Sequence, residues 1–413
     1  MKIISKLSLI AFVSISAFAK DSTKNIVDMF SDAEITGQTK LLYSTHKVKN
    51  NPNPYTTAIG GNLLYELAKY NGFNAGLGVS TSFDITKLSG DNEKKNPNIS
   101  STDGDYTVMN QAYLNYINDG FNIRLGAQII DTPLADSDDI RIINNTFEAV
   151  VLTYDINNFS IMSGYLAKWQ GTDAGLDTDN AWQKTGKNGT TFGGVSYSND
   201  LIDSSIWYYD ISKTNAETNT LEQNIANKSV YLDLALHTHP SKNIFLHYNA
   251  QYLKQNKQAN SNIDSSIYGF LFEAVFFEDL SLSVAYNKSD KRDSNNGSFS
   301  GFGGGTLYTN MDSMILNHIT TDRDSKAILS SISYNYANFS FVYAYGDFIG
   351  DKDSSGQKEH IIEQNIGVDY SLSENLNFGA ICTINEDKED TQSGASFDNG
   401  NFENYRFVVA YSF

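Results

Sequence analysis

Apolar and polar side chains alternate with a period of two along most of the chain from residue 35 to the last residue. Successive side chains of a β-strand point to opposite faces of the sheet, so this period predicts strands rather than helices. The alternation defines eighteen candidate strands. Most are close to the roughly ten residues that a tilted membrane-spanning strand requires. The predicted strands are residues 35–48, 57–71, 74–86, 107–118, 121–130, 147–156, 159–171, 190–199, 202–213, 229–240, 243–256, 265–277, 280–290, 326–336, 338–350, 359–372, 376–387 and 401–413.

The segments between the predicted strands alternate between short and long. The short segments carry the residue types of tight hairpin turns, as in Asn71-Gly72 and Asn199-Asp200. The larger long segments are polar and cover residues 87–106, 131–146, 172–189, 214–228, 291–325 and 388–400. Short turns at one end and long loops at the other are typical of outer-membrane barrels. Because the number of strands is even, both termini are predicted on the short-turn, periplasmic side.

The last predicted strand carries apolar or aromatic residues at positions 405, 407, 409, 411 and 413, and it ends in Phe413. Such a strand resembles the C-terminal signal by which outer-membrane barrels are recognised for assembly. The alternative is a soluble sandwich, but eighteen strands of this kind carry more apolar surface than one soluble domain usually hides. Lipid covers that surface in a closed barrel, and closure also removes the sheet edges. The predicted fold is therefore an all-β, transmembrane antiparallel barrel of about 18 strands.

The N-terminus and the composition agree with export to the outer membrane. Lys2 and Lys6 precede an apolar stretch, and Ala17-Phe18-Ala19 is a small-x-small cleavage site. We therefore predict a signal peptide over residues 1–19 and a single barrel domain over residues 20–413. Removing the two lysines leaves 28 basic and 48 acidic residues, a formal charge of −20. This balance argues against nucleic acid as a partner. The predicted location is the cell outer membrane.

Every second residue of a barrel strand faces lipid, so the residues between them must face the lumen. Charged residues fall on the lumen parity, as in the strand where Arg124 stands between Ile123 and Leu125. Taken together they predict a polar, wet lumen, although any single one could equally be a solvated wall residue with no selective role. The predicted lumen charges are Glu66, Arg124, Asp233, Glu273, Glu363, Asp369 and Arg406.

The loop over residues 131–146 mixes charged residues with apolar ones that an exposed loop would not favour. The apolar residues include Leu134, Ile142 and Ile143. Such a loop can pack its apolar side chains on the inner wall of a barrel while its charges narrow the pore. A turn-rich acidic surface loop is the alternative. The predicted constriction residues are Asp131, Asp136, Asp138, Asp139 and Arg141.

The stretch Asp139-Ile140-Arg141-Ile142-Ile143, followed by Thr146-Phe147, resembles the D-x-R-L-L-P-x-T-F motif of OprD-type substrate-selective porins. The segment 303–307, Gly-Gly-Gly-Thr-Leu, is similar to a glycine-rich outer-loop segment of that family. The resemblance implies eighteen strands and places Asp139 and Arg141 at the constriction of an inward-folded loop. Asn144 stands where the family has proline. The chain has only five arginines, whereas the family lines one wall with a ladder of basic residues.

These features predict an outer-membrane porin for passive diffusion of ions and small hydrophilic solutes, with a preference for cations. A channel selective for small carboxylate or amino-acid solutes stays open as the alternative. No catalytic motif occurs, so we expect no enzyme; a loop-mediated adhesin and a rim-sited barrel enzyme are the alternatives from other classes. The further expected partners are outer-membrane lipid, lipopolysaccharide and two further copies in a homotrimer.

The segment Asp351-Lys352-Asp353-Ser354-Ser355-Gly356 resembles the start of an EF-hand calcium loop. The position for the bidentate acid is Ile362, and Glu363 comes one place late. We interpret the segment as a polar loop and expect no cofactor. Loose binding of a divalent cation such as calcium stays open as the alternative.

Overall fold

The computed structural model describes residues 23–48, 53–85, 88, 105–137, 141–174, 182–213, 224–290, 297–389 and 401–413. The predicted signal peptide over residues 1–19 lies outside this part of the chain. The elements are α1 (Ile26–Ser31), β1 (Glu34–Val48), β2 (Tyr55–Glu66), β3 (Phe73–Asp84), β4 (Tyr106–Asn118), β5 (Phe121–Gln128), β6 (Thr146–Ile156), β7 (Phe159–Gln170), β8 (Gln183–Lys184), β9 (Thr190–Ser198), β10 (Ile202–Ile211), β11 (Asn227–Ser241), β12 (Ile244–Lys257), β13 (Ser265–Phe276), β14 (Leu280–Asp290), β15 (Ser325–Tyr336), β16 (Phe339–Gly350), β17 (Glu359–Ser371), β18 (Leu376–Asp387) and β19 (Phe402–Ser412).

All the strands belong to one antiparallel sheet that closes on itself. Each long strand pairs with its neighbours along the chain, and β1 pairs with β2 on one side and with β19 on the other. The closure leaves no long strand with a free edge, as a hydrocarbon environment demands. The predicted antiparallel barrel of eighteen strands is confirmed, since each predicted strand corresponds to one long strand.

The short strand β8 was not predicted. It consists of two residues, pairs with the end of β7 and lies within the predicted loop 172–189. Two residues are too few to show an alternating pattern, so the sequence carries no signal for it. The chain passes directly from β7 to β9 in the barrel wall, because β7 pairs with β9 over most of its length.

The tight turns lie together at one end of the barrel, as their sequences predict. Asn71 and Gly72 both have positive φ, at 49° and 86°, which is the conformation of a two-residue turn that matches strand twist. Phe277 and Glu278 adopt positive φ at another turn, at 55° and 64°. Neither residue type favours that conformation, so the sequence pattern alone did not place Phe277 in this turn.

The outer face of the barrel is apolar and the inner face is mainly polar. Leu125 is 54% exposed and Phe270 is 57% exposed, and both follow the parity that we predicted to face lipid. On the opposite parity, Asn74, Asn115 and Gln128 are fully buried against the interior. An apolar band of this extent is unusual on a soluble monomer, whereas lipid satisfies it directly.

Two long connections fold into the barrel instead of extending away from it. We name residues 129–137 and 141–145 inner loop A and residues 297–324 inner loop B. Their apolar side chains form the largest buried cluster together with the inner wall. The helical segments in the described ranges are α1 and short 3-10 turns such as Leu316–Ile319. None of these is long and apolar enough to cross a membrane as a helix.

Candidate pore constriction

Inner loop A packs against the inner wall at two separate places. Leu134 is 1% exposed and its amide lies 3.3 Å from the Tyr209 hydroxyl of β10. Ile142 and Ile143 pack with Leu42 of β1 and with β2, far around the ring from β10. The loop therefore crosses the interior from one part of the wall to another. This arrangement confirms that the loop folds inward, as its mixture of apolar and charged residues predicts.

Inner loop B holds inner loop A through backbone hydrogen bonds. The Asp136 amide donates to the Phe302 carbonyl at 3.0 Å, and the Phe302 amide donates to the Leu134 carbonyl at 3.0 Å. Gly303 follows with φ of 76°, and a Cβ atom there would lie 2.4 Å from the Asp136 carbonyl oxygen. Glycine is required because both the positive φ and the close backbone approach exclude a side chain. The glycine-rich segment thus serves to join the two inner loops.

The predicted acids of inner loop A differ in their surroundings. The Asp131 carboxylate accepts a hydrogen bond from the Ser137 amide at 3.0 Å. The Asp136 carbonyl accepts from the Asn145 side chain at 3.4 Å. Asp138 and Asp139 lie outside the described residues. The Asp131 carboxylate therefore contributes to the internal bonding of the loop.

Arg141 brings positive charge to the place where inner loop A meets β1. Its guanidinium forms an ion pair with Asp173 at 3.3 Å, and its carbonyl accepts a hydrogen bond from the Lys40 ammonium at 2.9 Å. Asp173 also accepts from Asn145 at 2.7 Å. Arg141 and Lys40 are thus close to each other, with a carboxylate beside Arg141.

Asp312 of inner loop B forms a second charged contact on the wall. Its carboxylate makes an ion pair with Arg406 of β19 and accepts a hydrogen bond from the Thr383 hydroxyl at 2.6 Å. Its amide donates to Asn365 at 3.3 Å. The next residue, Ser313, donates its amide to Glu363 of β17 at 3.1 Å. Predicted lumen charges Arg406 and Glu363 therefore anchor inner loop B.

The other predicted lumen charges also lie on the inner face, each with a polar or aromatic neighbour. Arg124 stacks over the Tyr113 ring at 4.2 Å. Glu66 accepts a hydrogen bond from Asn74 at 2.7 Å. Further hydrogen bonds run from Ser205 to Asp233 and from Ser281 to Glu273, and Asp369 is partly buried on β17 near Gly379. These contacts are with groups of the wall itself.

Sequence reasoning missed several charged groups of the interior. Lys40 lies on the inner parity of β1, next to lipid-facing Leu41, so its position was readable from the alternation. Asp312 lies in a loop whose apolar residues, such as Phe302 and Leu316, show the same mixture that identified inner loop A. The pairing of His237 with Asp203, at 2.7 Å, depends on strand register and has no sequence signal of its own.

Charges of both signs occur around the wall, and Glu66 on β2 and Glu363 on β17 lie close to the strands that carry the cationic groups. Lys40 and Arg406 are on the adjacent strands β1 and β19. Asp203 and Asp233, on β10 and β11, are eight to nine strands away, and Glu273, on β13, is six to seven strands away. Since the barrel is closed, strands separated by half of the ring face each other across the lumen. Asp203 and Asp233 therefore lie across the ring from Lys40 and Arg406.

The EF-hand-like segment forms a self-bonded turn after β16. One carboxylate oxygen of Asp353 accepts hydrogen bonds from the Ser355 hydroxyl at 2.7 Å and from the Gln357 amide at 2.8 Å, and the other meets Arg323 at 3.1 Å. These hydrogen bonds, led by that of Ser355, hold the pKa of the Asp353 carboxyl below its usual range. Within the described ranges, no group of three or more His, Cys, Asp or Glu side chains is arranged to hold a metal ion.

A closed antiparallel barrel with an apolar exterior, a polar interior and loops folded inside is the fold of transmembrane β-barrel channels. Among solved structures, OccAB2 of Acinetobacter baumannii superposes with a TM-score of 0.75 at 14% identity, over 94% of this chain and 99% of its own. OccK9 (OpdG) of Pseudomonas aeruginosa gives 0.75 at 12% identity, with 93% and 99% covered. OpdK of Pseudomonas aeruginosa with vanillate gives 0.73 at 16% identity, with 93% and 99% covered.

These relatives in structure are 18-stranded outer-membrane channels of the OprD family. The chain therefore has the fold that its resemblance to OprD-type porins implied, and the prediction is confirmed at that level. Identities of this size establish the fold alone. No family model matches the chain, and no curated protein sequence matches it.

Proposed function

We propose that the protein is an outer-membrane porin through which ions and small hydrophilic solutes diffuse passively. The observation that carries the proposal is inner loop A, which crosses a barrel with a largely polar inner wall and packs Ile142 against the far side. A loop held in this way narrows a pore at a fixed place. Asp131, Asp136 and Arg141 of this loop are proposed to border the narrow part.

We propose a preference for cations, which rests on how the interior charges are paired. Arg141 and Arg406 each face a carboxylate, Asp173 and Asp312 respectively, so much of their positive charge is compensated locally. Wall acids such as Glu273 instead accept hydrogen bonds from hydroxyl groups, which leaves their negative charge in place. Permeating cations are attracted by such a wall.

Selective passage of small carboxylate or amino-acid solutes is the second candidate. It is favoured by the Lys40 ammonium, which contacts the Arg141 carbonyl at the crossing of inner loop A, since an ammonium group binds carboxylates. OpdK, which shares the fold, was solved with vanillate, itself a carboxylate. In the part of the chain that the structure describes, no contact supports the function of an adhesin or of a rim-sited enzyme.

The test is the reversal potential of purified protein in planar bilayers under a KCl gradient. We expect steady conductance steps with cation preference. Asp312→Asn removes the carboxylate that compensates Arg406 and should shift the preference toward chloride. Asp279→Asn, at a short turn outside the pore, is the matched control and should leave the potential unchanged. A folded barrel without conductance would overturn the porin proposal, and anion preference in the wild type would overturn cation selectivity.

Interruptions of the ionic current through the channel distinguish a passive pore from a carboxylate-selective channel. Added vanillate should leave the conductance of a passive pore almost unchanged. Concentration-dependent interruptions that disappear in Lys40→Gln would instead support the carboxylate channel. Location in the outer membrane, contact with lipopolysaccharide and a homotrimer belong to the same proposal. Membrane fractionation and chemical cross-linking in cells test the location and the trimer.

A further inference from the structure

Lysines gather on the outer face of the barrel near the long-loop ends of β12, β14 and β15. We name Lys254, Lys288 and Lys326 the lysine patch. They have the parity of the lipid-facing residues, as shown by Val284 on β14 and Ile328 on β15, which are both exposed. The patch therefore faces the surroundings of the barrel and not its lumen.

The height of the patch corresponds to the head-group level of a bilayer. Along β14 the outward residues run from Leu282 and Val284 through Tyr286 to Lys288. Tyrosine is favoured where hydrocarbon meets the polar interface, and lysine extends its ammonium beyond that point. Tyr268 of β13 is the register partner of Lys288, and its ring centroid lies 6.4 Å from that of Tyr286. The lysines thus lie just beyond an aromatic girdle, at the end of the barrel that carries the long loops.

Two members of the patch oppose each other. Lys288 and Lys326 are register partners on adjacent antiparallel strands. Directly opposite side chains in a sheet have Cβ atoms about 5 Å apart, and like charges in such a pair are destabilising. An anion between the two ammonium groups would turn this repulsion into attraction.

The carboxylates near the patch compensate it only weakly. Lys288 lies 3.7 Å from Asp290, and Lys254 lies 3.6 Å from Asp264. The pair of Lys288 with Asp290 is about half exposed, and a pair of this kind contributes little and yields readily to another partner; the pair of Lys254 with Asp264 is more buried. Lys326 is exposed and has no ion pair with any residue that the structure describes. The patch therefore retains charge for an external anion.

We propose that the lysine patch binds the phosphate groups of a phosphorylated lipid head group, of the lipid A class, in the outer leaflet. Phosphate oxygens accept charge-assisted hydrogen bonds from ammonium groups, and the acyl chains of the same molecule would lie along the apolar face below Tyr268 and Tyr286. The inference rests on the outer-membrane location that we propose above. It adds a defined lipid site to that proposal.

Native mass spectrometry of the full-length protein in detergent, with EDTA present, tests the site. The probes are bisphosphorylated lipid A and the same lipid after removal of both phosphates. We expect the wild type to bind the phosphorylated lipid at least tenfold more tightly than the dephosphorylated one. Equal binding of the two lipids by the wild type overturns the proposal, and this comparison needs no variant.

Lys288→Gln combined with Lys326→Gln should lose most of that tenfold preference, while arginine at both positions should keep it. Lys168→Gln is the matched control, because Lys168 is a lysine near the outer end of β7 that pairs with Glu148 at 3.2 Å. An equal loss in this control, or unchanged binding in the double glutamine variant, would also overturn the site. Conductance of the same preparations keeps the two proposals apart: absent conductance with intact lipid preference removes the porin function and leaves the lipid site.

Discussion

Phe302 is the residue through which the two inner loops depend on each other. It is 1% exposed, and its ring packs edge-on against Trp169 of β7 at 5.5 Å and against Phe299 at 5.1 Å. Its backbone also carries two hydrogen bonds to inner loop A. We predict that Phe302→Ala loosens both inner loops while leaving the barrel closed, because the wall strands keep their own pairing.

The size of the effect follows from burial. Truncating a buried phenylalanine to alanine typically costs about 3–5 kcal/mol, because transfer energy is lost and a cavity remains. If most of that cost falls on the docked state of the loops, the free energy for local opening falls by about 3 kcal/mol. Each 1.4 kcal/mol is about a factor of ten in an equilibrium constant, so the open state becomes roughly 100-fold more populated.

Hydrogen exchange reports this opening at named amides. The amides of Asp136 and residue 302 bond across the two loops, so their exchange should accelerate about 100-fold in Phe302→Ala. The amides of β14 and β15 should be unaffected. Phe272→Ala, which removes a ring of the same size from the lipid face, is the matched control. Unchanged exchange at the cross-loop amides would refute the view that this ring holds the loops together.

Three further predictions concern the turn end and the loop end of the barrel. Gly72→Val should lower the free energy of unfolding by at least about 1 kcal/mol, measured in urea, since φ is 86° there; wild-type stability would contradict the strain argument. Arg323→Met should cost about 3–5 kcal/mol in the same assay, because buried Glu359 loses its guanidinium partner, and a neutral result would refute it. The hydrogen bonds that lower the pKa of the Asp353 carboxyl stabilise the outer turn. Their contribution is fully present above pH about 4, where the same carboxyl titrates in the unfolded chain. It is lost as the pH falls through the lower pKa that this carboxyl has in the folded chain. Protease protection of residues 351–358 should therefore decrease only below pH about 4, and Asp353→Asn should be susceptible at neutral pH; equal protection of the two proteins would contradict this.

The strands of the wall were predictable because each obeys a local rule. Lipid outside and water inside impose a period of two on every long strand, so the pattern was visible without knowledge of the partner strands. Inner loop A was predictable for a related reason, since Ile142 and Ile143 are too apolar for a loop in water. In both cases the surroundings of a segment determine which residue types occur at its neighbouring positions.

What could not be predicted depends on contacts between distant segments. Inner loop B folds inward because Phe302 meets Leu134 and Asp312 meets Arg406, and these partners are far apart in sequence. Its apolar residues gave a hint, but a partner strand or loop cannot be identified from composition. The direct opposition of Lys288 and Lys326 likewise requires the register, which one sequence does not provide.

The inner wall itself explains why the loops fold inward where they do. Trp169, Trp207 and Phe348, on β7, β10 and β16, point inward and are almost fully buried. Such a surface is unfavourable against water, so it has to be covered, and the apolar residues of the inner loops provide the cover. The inner faces of β3, β4 and β5 carry polar residues instead. Asn115 and Arg124 are buried there against other groups of the wall, since Asn115 donates a hydrogen bond to Asn74 at 3.0 Å and Arg124 lies over the Tyr113 ring.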